Sequence, residues 1–163
     1  MLEQTRNIST GLYKVIGVML LAAALLVSPL MLKQVEANED FRRLKVNSYE
    51  RNLMARAVYS EARGEPYEGQ VAVASVIINR VLDERFPGTV EEVIFEPWAF
   101  TAVHDGQFWL DPDPQILKPI EDALKGWDPS GGAVFYYNPV KVTSYWIFSR
   151  QVIDVIGRHY FAI

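Results

Sequence analysis

The chain has 163 residues, of which 50% are hydrophobic and 12% aromatic. This suits one folded domain with a short extension and excludes a disordered polypeptide, which lacks the apolar surface to offset chain entropy. There is no Cys and there are two His, which leaves no disulfide, thiol nucleophile, cysteinyl zinc site or multi-histidine metal site. The net charge of −4 without a basic cluster excludes a typical nucleic-acid binder.

The first feature in chain order is an uncharged run of 18 residues from Val15 to Leu32, preceded by Arg6 and Lys14 and closed by Lys33. It has no polar face, so it reads as a membrane helix over residues 15–32 or the core of a signal peptide. Val35-Glu36-Ala37 offers small residues at alternate positions, as a signal peptidase site requires. Both readings place the rest of the chain outside the cytoplasmic membrane. Residues 1–37 are thus expected to be a signal peptide or anchor. Residues 38–47 alternate charge and read as a linker, and 48–163 form the functional domain. Beyond residue 37 the chain carries 13 basic and 18 acidic residues.

Asn47 followed three residues later by Glu50 matches a capping box, and predicts a helix from Ser48 to Ala62. Gly64 and Pro66 stop it. A second helix, Tyr67 to Leu82, is apolar nearly all round and should be central. Thr89 and Glu92 open a short helix through Phe95. Residues 98–113 show no period and read as one long loop, a feature that is usually functional in a compact domain. A further helix ends at Gly126, with Pro119 marking its start or a kink. Ala133–Tyr137, Gln151–Ile156 and His159–Ile163 read as strands, the last two joined by a Gly157-Arg158 turn. Helices first and strands last predict an α+β domain.

Glu61 is the most informative single residue. It continues the stripe Leu53, Ala57, Glu61, so a carboxylate faces the apolar side in the last turn of its helix. Burial and the negative end of the helix dipole both disfavour its charge and raise its pKa. A carboxyl group protonated near neutral pH is what a glycosidic general acid requires. On pattern alone, a structural glutamate paired with Arg56, Arg63 or Arg80 is the alternative. Glu65, Glu68 and Asp105 are candidates for a second carboxylate. His104-Asp105 is a weak charge-relay signal without a nucleophile elbow. Trp98, Phe100, Trp109, Tyr136, Tyr137 and Trp146 are candidates for stacking on sugar.

The gapless stretch from Leu53 to Arg80, containing Tyr59-Ser60-Glu61-Ala62-Arg63-Gly64-Glu65, resembles the SleB-type cell wall hydrolase family, which includes the spore cortex-lytic enzymes of germination. The resemblance continues through Arg85-Phe86-Pro87, Trp98-Ala99-Phe100, Gly126-Trp127-Asp128-Pro129, Tyr136-Tyr137-Asn138-Pro139, Trp146 and Ile156–Phe161. It implies a lysozyme-like, lytic transglycosylase-like fold and cleavage of peptidoglycan glycan strands, with Glu61 as general acid and no cofactor or metal. Glu68, Trp98, Phe100, Tyr136, Tyr137 and Trp146 are expected to bind the glycan. The chain departs from the family pattern in the Trp98–Thr101 loop, where a Gln commonly precedes the Phe. Two rivals remain: an N-acetylmuramoyl-L-alanine amidase, with or without zinc, and a non-catalytic wall-binding module.

Overall fold

A computed structural model describes residues 42–142 and 144–163 of the chain. The expected anchor or signal at residues 1–37 lies outside the described residues. Among those described, no helix is long and apolar enough to cross a membrane.

Helix α1 spans Ser48–Ala62 and opens on the expected capping box, the Asn47 side chain accepting from the Glu50 N–H and the Glu50 carboxylate from the Asn47 N–H. Helix α2, Tyr67–Leu82, is the central element. Every residue from Val71 to Arg80 is buried, because α2 packs against α1, α3 (Val90–Phe95) and α5 (Leu117–Leu124) and also meets the C-terminal sheet. Thr89 caps α3 by accepting from the Glu92 N–H at 3.2 Å. Pro119 lies buried in the first turn of α5. There its missing N–H is one of those left unpaired at any helix start. The core is continuous, from Met54 and Val58 of α1 through Ile77 and Ile78 of α2 to Ile94, Phe108, Ile120 and Phe161.

Strands β1 (Phe135–Tyr137), β2 (Val152–Ile156) and β3 (His159–Ala162) form an antiparallel sheet in the order β1-β3-β2. Tyr136 pairs with Phe161 and Ile156 with His159. Gly157 opens the β2–β3 turn at φ +59°. A side chain there would be strained by the backbone, and its Cβ would also collide with Glu65 Oε2 and Pro66 Cδ.

Two expectations need correcting. Residues 98–113 are not one irregular loop: they hold α4 (Thr101–Asp105) and a short 3-10 turn, Gln107–Trp109, and lead directly into a second, Pro114–Ile116. These pieces are too short to display a period, and buried Ala102 and Phe108 attach them to the core. Residues 42–47, read as linker, are instead part of the domain. The Arg43 N–H donates to the Leu124 carbonyl at 2.8 Å, Arg42 pairs with Glu121 at 2.7 Å, and Leu44 and Val46 pack against the core. Two apolar residues among charges are a faint sequence signal, but their alternation suits an extended segment laid along a domain surface.

Candidate active site

Three elements bring the site together: the last turn of α1, the start of α4, and β1. Glu61 is half-buried at the end of α1. Its Oε1 accepts from the Ala102 N–H in the first turn of α4 at 3.4 Å, and its carboxylate also accepts from the Tyr136 hydroxyl of β1. Burial raises the Glu61 pKa above the ordinary carboxylate value, and the Asp105 charge adds to this. The Ala102 and Tyr136 hydrogen bonds and the Lys141 charge oppose the rise without cancelling it. Burial thus shifts the group toward its protonated form, while two donors stand ready for the anion.

Tyr136 is held rigidly. Its ring lies 5.3 Å from the His159 ring, edge to face, and 6.2 Å from Phe161. Burial and the nearby Glu61 charge push its phenol well above the usual range, so it remains a hydroxyl donor. Beneath the site runs Arg80, 6% exposed. Its Nε donates to the Val134 carbonyl at 2.7 Å. Its guanidinium lies 5.4 Å from the Phe86 and Phe100 ring centres and 5.9 Å from that of Phe135. Burial lowers the Arg80 pKa, and the carboxylate charges of Glu96 and Glu61 counter that effect.

The arginines that could have made Glu61 a structural ion-pair partner are engaged elsewhere. Arg56 donates to the carbonyls of Trp109 and Leu110 and pairs with Asp111. Arg63 donates to Gln107. Arg80 is bound to Val134 and acts on Glu61 only through its charge. Among the described residues, Glu61 forms no salt bridge with any of the three arginines.

The second-carboxylate candidates separate. Glu65, its side chain 4% exposed, accepts from the Arg158 N–H at 2.9 Å and from Arg158 Nε at 2.7 Å. It fastens the β2–β3 turn to the end of α1. Glu68 is exposed in the first turn of α2. Asp105 is exposed, accepts from the Gln107 N–H and amide at 3.0 Å each, and acts on Glu61 electrostatically. His104 stacks on Trp98 at 4.8 Å. Among the described residues, no group of three or more His, Cys, Asp or Glu comes together in a metal-holding arrangement.

The aromatic candidates also separate. Phe100 is 1% exposed and Tyr137 is 9% exposed, so neither offers a free face to a sugar. Phe100 covers Arg80, and Tyr137 lies between Phe148 and Tyr160. Both were expected to stack on glycan because an isolated sequence cannot tell a core ring from a surface one. Tyr136 meets Glu61 through its hydroxyl, a role that stacking did not anticipate. Trp98 is 83% exposed, Trp109 62% and Trp146 51%, which leaves these three rings open. The Ala102 N–H and the Lys141 charge were missed altogether. A backbone donor has no residue signature, and a lone lysine on a turn looks like any surface lysine.

Comparison with known proteins agrees with this architecture. A sequence profile described as Cell Wall Hydrolase matches residues 64–162. The spore cortex-lytic enzyme of Oceanobacillus iheyensis is 61% identical over 109 residues, 67% of this chain and 40% of that protein. The spore cortex-lytic enzyme of Bacillus cereus is 57% identical over 118 residues, 71% of this chain and 46% of that protein. The chain thus spans less than half the length of these relatives. Among solved structures, the catalytic domain of the germination-specific lytic transglycosylase SleB from Bacillus anthracis superposes with a TM-score of 0.69 at 53% identity, covering 72% of this chain and 97% of that domain. The chain belongs to the cell wall hydrolase family.

Proposed function

We propose that the chain cleaves the glycan strands of peptidoglycan outside the cytoplasmic membrane, and does so as a lytic transglycosylase with Glu61 as both acid and base. The observation that carries this reading is the setting of Glu61: a half-buried carboxyl group whose pKa burial raises, with two hydrogen-bond donors aimed at it. The relatives named as spore cortex-lytic enzymes support cortex peptidoglycan as the substrate polymer. The similar SleB domain of Bacillus anthracis is a germination-specific lytic transglycosylase, which supports transglycosylation here.

In the first step the Glu61 proton passes to the oxygen between N-acetylmuramic acid C1 and its N-acetylglucosamine neighbour, and the C1–O bond breaks. The substrate acetamido group stabilises the oxocarbenium-like centre. The Ala102 N–H and the Tyr136 hydroxyl hold the new Glu61 anion. In the second step that anion accepts the proton of the muramic C6 hydroxyl while O6 bonds to C1. The products are a free glucosamine 4-hydroxyl and a 1,6-anhydro-muramic end, with no water consumed. A hydrolase would need a further carboxylate at ~5–5.5 Å for retention or ~6.5–9.5 Å for inversion. Glu65 is committed to Arg158, Glu68 lies exposed on α2 and Asp105 is bonded to Gln107, which favours the one-carboxylate route.

The test is Glu61→Gln. The amide keeps the shape and lacks the transferable proton. Fragment release from peptidoglycan should fall by ~10²–10⁴-fold or more while the thermal transition persists. A folded variant with most of the wild-type turnover would refute the role.

A further inference from the structure

Trp98 combines three properties. It is 83% exposed, so its ring contributes little to the core. Its backbone has φ +68°, and it is the single described non-glycine residue at positive φ. It occupies the third position of a turn closed by the Ala99 N–H donating to the Glu96 carbonyl at 3.0 Å, with Pro97 second. In a type II turn that third position is normally filled by glycine or asparagine. A bulky side chain there is strained, and such strain at a surface position points to use. The fourth observation is the ring's support. The indole stacks on His104 with centroids 4.8 Å apart and planes 28° apart. One face is backed by the imidazole and the rest of the ring is open to solvent. His104 belongs to α4, the same five-residue helix whose Ala102 N–H meets Glu61.

We propose that Trp98, backed by His104, is a sugar-stacking platform at the α4 rim of the site, taking one N-acetylhexosamine ring of the glycan strand. The inference rests on the glycan-strand reading above. A flat apolar ring with a fixed tilt suits the C–H face of a pyranose, and its orientation is already set before binding, so little side-chain freedom is lost when the sugar arrives. Trp98 is thus a positioning residue for the strand, and it takes no part in proton transfer.

Glycine substitution separates binding from folding in opposite directions. W98G removes the ring and also relieves the positive φ. Its Tm should equal or exceed that of the wild-type chain. On purified glycan strands freed of stem peptides, KM should rise about five- to tenfold with kcat nearly unchanged. W98F, which restores a ring, should recover most of the loss. H104A, which removes the backing, should give an intermediate KM. A wild-type chain that cleaves while W98G matches its KM would overturn this inference alone. So would a W98G chain with a markedly lower Tm, because the ring would then be structural. A wild-type chain that releases nothing from peptidoglycan would overturn the glycan-strand reading, and this inference with it.

Discussion

Glu65→Gln tests whether the neighbouring glutamate is a fastener or a second catalytic group. The wild-type carboxylate accepts two hydrogen bonds from Arg158, at 2.9 Å from its N–H and 2.7 Å from Nε. Burial alone would raise the Glu65 pKa. The bonds from the Arg158 backbone and guanidinium, with the His159 and Arg158 charges, outweigh burial and hold it below the ordinary value. The amide keeps one acceptor and turns an N–H₂ donor toward Arg158, so one charge-assisted bond is lost. Such a bond contributes about 1.5–3 kcal/mol. The lower end applies, because the Arg158 side chain is 61% exposed and water can solvate it. For a domain of this size that is a Tm decrease of roughly 5–10 °C. The sign with pH follows from the lowered pKa. The contribution is present above the unfolded carboxyl pKa of ~4.3 and disappears as pH falls through the folded value. The Tm gap between wild type and variant should therefore close on acidification. Turnover on peptidoglycan, assayed well below the variant's Tm, should stay within about tenfold of wild type, since both Glu65 oxygens are held by Arg158 and are not free to act as base or nucleophile. An unchanged Tm with activity lost as completely as in Glu61→Gln would refute the fastener role and restore Glu65 as a catalytic carboxylate.

Other outcomes follow from the same geometry. Glu61→Gln should gain stability relative to wild type as pH rises from the unfolded carboxyl pKa of ~4.3 through the raised folded value. A carboxyl whose folded pKa is raised binds more protons folded than unfolded, so wild type weakens across that window and the amide does not. Parallel thermal-stability curves for the two chains would contradict it. Tyr136→Phe removes a donor to the Glu61 anion and should lower kcat by roughly ten- to a hundredfold with little change in KM. It should also move the alkaline limb of the pH–rate profile upward, because that bond lowers the Glu61 pKa. A chain beginning at Ser48 should melt well below one beginning at Asn38. It lacks the Asn47 cap, worth ~1 kcal/mol, the Arg43–Leu124 bond and the packing of Leu44 and Val46. Equal melting temperatures would return residues 42–47 to the status of linker.

The legible parts of the fold were those written in local chemistry. The Asn47–Glu50 box, the Gly64-Pro66 break, the Thr89 cap and the Gly157-Arg158 turn each act within a few residues, and the elements they bound lie where those signals place them. Glu61 was legible because its position on an apolar stripe conflicts with its charge. What surrounds it was not. Ala102 and Tyr136 are 41 and 75 positions away in sequence, and only the packing of α4 against α1 and of β1 against α2 brings them to the carboxylate. Phe100 and Tyr137 show the converse: near motif residues, aromatic type alone predicted contact with substrate, and burial against Arg80 and Tyr160 decided otherwise. The segment 42–46 was read as linker because charged neighbours obscured Leu44 and Val46, whose partners lie on distant elements.

The most direct measurement is mass spectrometry of muropeptides released from purified peptidoglycan by the full chain in heavy-oxygen water. One carboxylate acting twice predicts fragments ending in 1,6-anhydro-muramic acid, one water lighter than hydrolysis products and free of the heavy label. Reducing muramic ends carrying heavy oxygen would contradict it, since water would then be the nucleophile and a second carboxylate, with Asp105 the first candidate, would have to activate it.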